Sequence, residues 1–315
     1  MRMILAPSNL GLRPLHPGHE PGTWRAPAAL MEAGLLDALR PSDVTELSRP
    51  TYSPEPQPGT RLRNGPELRR FNLELADAVE HAVRSDEFAL VLGGDCSIML
   101  GALAGARRLR PLSLLHIDGH SDFRHPGNYD VDATLGAVAG MDLALATGRG
   151  EATATEWPGC PVPLVEDHHV IQLGERENRD ADFAWPDVNE TKITQIDVFE
   201  ANRSGLSDII ARIDRTLAKL PSGGLWIHLD VDVLDQSIMP AVDCPGSPGL
   251  SPNDLQQILQ RYTADLRCLG MTVTVFDPDL DPEGVHAKTI VEILSFIALQ
   301  RGPGADMRQR GVLDA

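Results

Sequence analysis

An α/β fold, with helices covering a mostly parallel sheet, is what the sequence of 315 residues predicts. Three observations carry the prediction. Short apolar runs rich in Leu and β-branched residues recur along the chain, each run stops at Gly, Asp or Pro, and stretches of helical character lie between them. The runs are residues 3–6, 88–92, 112–117, 169–173, 225–229 and 271–276. Helices are expected over 66–84 and 207–220, with a last one near 289–299. Residues 48–66 are rich in Pro, Gly and polar groups and read as a surface loop leading into a helix. Neither this loop nor the second loop-rich stretch, 148–163, divides the chain, so residues 1–315 are expected to form a single domain.

Composition narrows the function classes. A 42% hydrophobic content supports a full buried core, and the formal net charge of −17, spread along the chain, argues against nucleic acid as a partner. Cys96, Cys160, Cys244 and Cys268 are widely spaced with no CxxC pair, which indicates neither a disulfide framework nor a zinc ribbon. The first apolar run is too short for a signal peptide, and no run of about 18 apolar residues exists to span a bilayer. The expectation is a soluble, cytoplasmic protein with no membrane partner.

In open α/β sheets ligands bind beyond the carboxyl ends of the strands, so the residues that follow each apolar run matter most. Three of these ends are dense in ligating groups: Gly93-Gly94-Asp95-Cys96-Ser97, Asp118-Gly119-His120-Ser121-Asp122, and Asp230-Val231-Asp232 continuing to Asp235. Alternate residues of an extended strand share a face, which would project Asp118, His120 and Asp122 together, and Asp230 with Asp232. Four carboxylates converging with one imidazole cannot all be buried and charged unless cations neutralise them. A pair of divalent ions is the natural remedy, because carboxylates can bridge two ions and imidazole completes a shell.

These segments resemble those of the ureohydrolase family, which includes arginases, agmatinases and formiminoglutamases. LLHIDGHSDF is similar to its Asp-Ala-His-x-Asp motif, HLDVDVLDQSIMPAVDCPGSPGLS to its Asp-Val-Asp-x-x-Asp-Pro segment, and VLGGDCSIMLG to its Gly-Gly-Asp-His-Ser. The likeness extends from APSNLGLRPLHPGHEPGTWRAPAALMEAGLLDAL near the start, through IQLGERE, to VTVFDPDLDP near the end. It implies a three-layer α/β/α domain, a homo-oligomer (trimer or hexamer), and up to two divalent ions, Mn2+ by family, bridged by a hydroxide that attacks a planar C–N carbon. Carried over, Asp118 and Asp230 resemble the bridging ligands. Asp122 would join the first metal and hold the hydroxide, so it is the candidate catalytic residue; His120 and Asp232 would complete the second metal. Glu177 resembles an acid that helps hold a substrate amino group.

Three positions depart from the family pattern. Cys96 stands where the family has the His of the first metal; a thiolate is softer and favours Zn2+, Fe2+ or Co2+ over Mn2+. Ala139 occupies the place of the proton-shuttling His of arginases, with His125 close by in sequence. Val275 sits where guanidine-cleaving members have a Glu, with Asp277 and Asp279 near it. The sequence therefore predicts a metal-dependent hydrolase of linear guanidino, amidine or formimino substrates, with arginine itself disfavoured. Two alternatives remain open: an arginase-like protein that binds metal but has lost hydrolysis and serves a binding or regulatory role, and an enzyme using Cys96 as nucleophile, for which no base forms a recognisable motif.

Overall fold

A computed structural model describes residues 1–181, 184–219 and 223–297. Eight strands form one sheet: β1 (Arg2–Ala6), β2 (Asp43–Glu46), β3 (Ala89–Gly93), β4 (Leu112–Ile117), β5 (Val170–Leu173), β6 (Thr194–Ile196), β7 (Gly224–Asp230) and β8 (Cys268–Thr274). Their order is β2-β1-β3-β8-β7-β4-β5-β6, and every pairing is parallel, which sharpens the expectation of a mostly parallel sheet. The helices are α1 (Ala26–Glu32), α2 (Leu35–Leu39), α3 (Gly65–Arg84), α4 (Ile98–Arg107), α5 (Asp142–Ala146), α6 (Ala152–Thr155), α7 (Val198–Ser204), α8 (Leu206–Leu217), α9 (Pro252–Thr263) and α10 (Val285–Leu294).

Side-chain alternation divides these elements into three layers. Leu90, Leu92, Leu115, Ile117, Ile227, Leu229, Met271 and Val273 face one apolar layer, which α1, α2 and α7 to α10 complete. Ala89, Val91, Leu112, Leu114 and Trp226 face the other, under α3 to α6. A sheet buried on both faces explains why its central strands read as unbroken apolar runs. Trp226 is fully buried there, so truncating it to Ala should cost about 3–5 kcal/mol.

The expected elements are present with shifted ends. The helix expected over 66–84 is α3, and that over 207–220 is α8, whose predicted last residue lies outside the described residues. The last helix, α10, begins at Val285 rather than near 289; residues 298 and 299 also lie outside. His169 closes a 3-10 turn instead of opening β5. The run 271–276 is corrected at both ends, since β8 starts at Cys268 and stops at Thr274, where Val275 turns to φ 72°. The edge strands β2 and β6 have no apolar run to announce them, because an edge strand buries less of its surface.

Candidate metal centre and active site

The turn from β3 into α4 delivers Cys96. Gly94 is required there: a Cβ would sit 2.5 Å from the Ser8 carbonyl oxygen, so only glycine lets this turn pass the loop after β1. Asp95 fixes the turn rather than the site, accepting hydrogen bonds from Ser8 Oγ (3.0 Å) and the Ser97 N–H (3.0 Å). Cys96 is 2% exposed, and its Sγ donates to Asp230 Oδ2 at 2.6 Å and lies 3.3 Å from Thr274 Oγ1. It is therefore not an isolated core thiol: it is hydrogen-bonded to a carboxylate of the acidic cage.

Asp118, His120 and Asp122 do not share a strand face, nor do Asp230 and Asp232. β4 ends at Ile117, so Asp118, His120 and Asp122 leave the sheet on a loop, and Asp122 takes φ 46°. The loop still gathers them. The His120 N–H donates to Asp118 Oδ1 (2.6 Å), and His120 Nδ1 lies 2.8 Å from Asp232 Oδ2 and 3.8 Å from Asp118 Oδ1. β7 likewise ends at Asp230 and passes into a 3-10 turn, Val231–Val233, in which the Asp232 N–H donates to Asp230 Oδ1 at 2.8 Å. The Gly119 N–H (3.0 Å) donates to Asp232 Oδ1 and Arg176 donates to the Asp232 carbonyl, which fixes this arm in place.

Cys96, His120, Asp122, Glu177, Asp230 and Asp232 line one cavity of about 320 Å3, with Ala139 and Val275 on its wall and Arg13 and Arg124 also lining it. A larger depression of about 930 Å3, bordered by Leu5, Trp24, Met31 and Arg49, brings no group of ligating side chains together among the described residues. Glu177 Oε1 is 4.0 Å from His120 Nε2, whereas Glu175 is turned inward to accept from the Asn178 N–H (2.6 Å). His125 pairs with Asp187 at 2.5 Å and does not line the cavity. Asp277 accepts from the N–H groups of Gly22 and Asp279, and Asp279 pairs with Arg25, so neither replaces the acid that Val275 lacks. Asp235 accepts from Ser237 and Gly249 in its own turn.

The electrostatics are those of a cage that must be neutralised. Burial, then Asp232, pushes Asp118 up to about 7. Burial raises Asp122 and Asp230 well above the ordinary carboxylate range, and burial with Asp230 does the same to the Cys96 thiol. Asp232 goes the other way: burial would raise it, but His120 and Arg176 prevail and hold it low. Burial opposes the His120 cation, yet Asp232 and Asp118 outweigh it and hold the imidazole pKa well above normal. Either protons or metal ions must balance so many buried acids. Asp118 Oδ2 is buried with no hydrogen-bond partner among the described residues, as expected of a ligand atom. Asp118, His120 and Asp232 place ligand atoms within 4.8 Å of one another.

Three further groups border this cage. His116 of β4 and His228 of β7 stand directly opposite each other in register, with Thr272 of β8 next in the row. Asp142 opens α5 above them. All three ionisable groups are fully buried, and burial lowers both imidazole pKa values, keeping the rings neutral. They were missed by a reading that began at the strand ends. Stepping back two residues along each strand, from Asp118 to His116 and from Asp230 to His228, reaches both histidines by the period of a strand. Asp142 carries no such signal.

Comparison with known proteins agrees with this fold. A family model described as Arginase family matches residues 17–299. The chain is 31% identical over 282 residues to an arginase of Bacillus caldovelox, covering 87% of this chain and 91% of that protein. The arginase of Bacillus subtilis shares the fold with TM-score 0.78 at 24% identity, covering 94% of this chain and 97% of that one. The formimidoylglutamase of the same species has TM-score 0.69 at 18% identity over 98% and 87%. The chain belongs to the arginase family.

Proposed function

We propose that this chain hydrolyses a linear C–N bond in a guanidino, amidine or formimino compound that also bears an acidic group. The observation that supports it most is the convergence of Cys96, His120, Asp122, Asp230 and Asp232 on one cavity wall, with Asp118 beneath them. In this reading Asp118 and Asp230 would be shared by two divalent ions, with Cys96 and Asp122 available to hold one and His120 and Asp232 the other. Two ions held there would supply a hydroxide at neutral pH and stabilise charge on the heteroatoms of the attacked group. Asp122 accepts a hydrogen bond from the attacking oxygen, aims it at the planar carbon, and then passes the proton to the departing nitrogen, so that an amine leaves.

Substrate class follows from the cavity wall. Arg13 and Arg124 line it, and two guanidinium groups favour a ligand carrying a carboxylate. Glu177 and the half-buried Asp243, raised to about 6 by burial and Asp232, are suited to an amino group on the same ligand. An amino acid with a terminal formimino or guanidino group meets both demands. Arginine is disfavoured because Ala139 cannot carry a proton, and Val275, which offers no acid to a guanidinium, weighs the substrate class towards formimino and amidine acids. The thiolate of Cys96 shifts metal preference from Mn2+ towards Zn2+, Fe2+ or Co2+. We further propose one domain over residues 1–315 and a cytoplasmic homo-oligomer, a trimer or hexamer, that binds neither nucleic acid nor membrane. The net charge supports the first exclusion, and among the described residues no helix is long and apolar enough to cross a membrane.

The three altered positions Cys96, Ala139 and Val275 also favour a second reading, a metal-binding protein without hydrolysis. Metal analysis of purified protein, followed by release of the free amine together with urea from guanidino acids and of the corresponding amide (formamide from formimino acids) from the others, with Mn2+, Zn2+, Co2+ and Ni2+, separates the two. Metal-dependent release on one class supports hydrolysis; bound metal with no release on any of them supports the second reading.

A further inference from the structure

The cage contains more ligating groups than two ions need. Below Asp118 and Asp230, on the face of the sheet covered by α4 and α5, the apolar layer is broken by His116, His228 and Asp142. His116 Nε2 lies 3.3 Å from Asp142 Oδ1 and His228 Nε2 lies 3.5 Å from Asp142 Oδ2. The two imidazole rings are stacked, with centroids 5.0 Å apart. All three side chains are completely buried, and ligand atoms of the three lie within 4.8 Å of one another.

From this geometry we infer that His116, Asp142 and His228 form a third divalent-cation site, directly beneath the six-residue centre and adjoining it at Asp118 and Cys96. Three observations support it. First, metal–nitrogen and metal–oxygen bonds of 2.0–2.2 Å in a tetrahedral shell put neighbouring ligand atoms about 3.4 Å apart, the spacing of both N···O pairs here. Second, His228 Nε2 is buried with no hydrogen-bond partner among the described residues, although Nδ1 of the same ring is fixed 2.8 Å from Thr272 Oγ1. A ring oriented through one nitrogen with the other left bare is the arrangement of a metal ligand and its orienting partner. Third, charge balances. Cys96, Asp118, Asp122, Asp142, Asp230 and Asp232 are six acidic groups within one buried volume, and three divalent ions neutralise six where two leave an excess of buried negative charge.

The donor set selects the ion. Two neutral imidazoles and one carboxylate suit Zn2+, Co2+ or Fe2+ rather than Mg2+ or Ca2+. The fourth position is open to Asp118, whose unpartnered Oδ2 is 3.8 Å from His116 Nε2. The site shares that wall with the centre of the proposed function, and so the test must report the two separately.

Crystals of the full chain grown with Zn2+ and, separately, with Co2+ provide it, through anomalous difference maps at each metal edge and metal-to-chain ratios in solution. An anomalous peak bounded by His116, Asp142 and His228 is expected. His228→Gln and Asp142→Asn should each lose that peak and one ion per chain while keeping the ions between Asp118 and Asp230; His120→Ala should do the reverse. Peaks between Asp118 and Asp230 with none at the lower position, in wild-type crystals, overturn the third site and leave the proposed function standing. A lower peak alone upholds the third site and overturns the two-ion centre. If either variant fails to fold, the wild-type maps decide.

Discussion

The two sides of the cage are built differently. On the His120 side, Asp232 is held by the Gly119 N–H and by Arg176, sits 2.8 Å from the His120 ring, and has a depressed pKa. Its residue types follow the family pattern. On the Cys96 side, a buried thiol donates to Asp230, and the groups beneath it are His116, His228 and Asp142. On one side the carboxylate is held ionised beside its imidazole; on the other, burial favours the protonated forms of Cys96 and Asp230. The difference places the electrostatic change on the Cys96 arm, which is where the proposed shift in metal preference can be tested.

The largest effect expected is from a group common to both sides. Asp118→Asn keeps the size and the hydrogen bond to the His120 N–H but removes the charge proposed to be shared by two ions. Affinity for divalent ions, read by titration calorimetry, should fall by more than the roughly 100-fold typical of losing an outer-shell partner. Retained affinity would mean that the two sides do not share this ligand. Arg176→Ala touches only the His120 side: by freeing Asp232 it should weaken metal binding about 10- to 100-fold while leaving preference among metals unchanged. A change in preference instead would blur the comparison.

A smaller effect separates the sides by pH. Asp118 titrates near 7 in the ion-free protein because burial and Asp232 raise it, and the Cys96 side holds further raised acids. An acid whose folded pKa lies above its unfolded value makes the folded state bind more protons, so stability of the ion-free protein should fall as pH rises from 5 to 8. Metal affinity should move oppositely, rising about tenfold per pH unit for each proton displaced as pH approaches 7. Thermal melts at pH 5, 6.5 and 8, with and without Zn2+, check both signs. A melting temperature that climbs with pH in the ion-free protein would contradict this electrostatic account.

Much of this was legible in the sequence, and the remainder has physical reasons. The six apolar runs are strands because a doubly covered parallel sheet imposes unbroken hydrophobicity, while β2 and β6 stayed hidden because edge strands need none. The six expected ligands gather although the shared-face premise fails after Ile117 and Asp230: short loops with backbone hydrogen bonds to Asp118 and Asp230 replace the strand. His116 and His228 lay inside runs already read as core, where a lone histidine attracts no notice. Asp142 could not be found without the third dimension, since only folding brings the start of α5 over β4 and β7.

Metal competition in Cys96→His tests the central claim most directly. Wild type and variant are each equilibrated with equal Mn2+ and Zn2+ and their bound metal is counted. The account predicts that wild type favours Zn2+ and that restoring the imidazole moves the ratio towards Mn2+. An identical Mn2+-to-Zn2+ ratio in the two proteins would remove Cys96 from the metal shell and contradict the account.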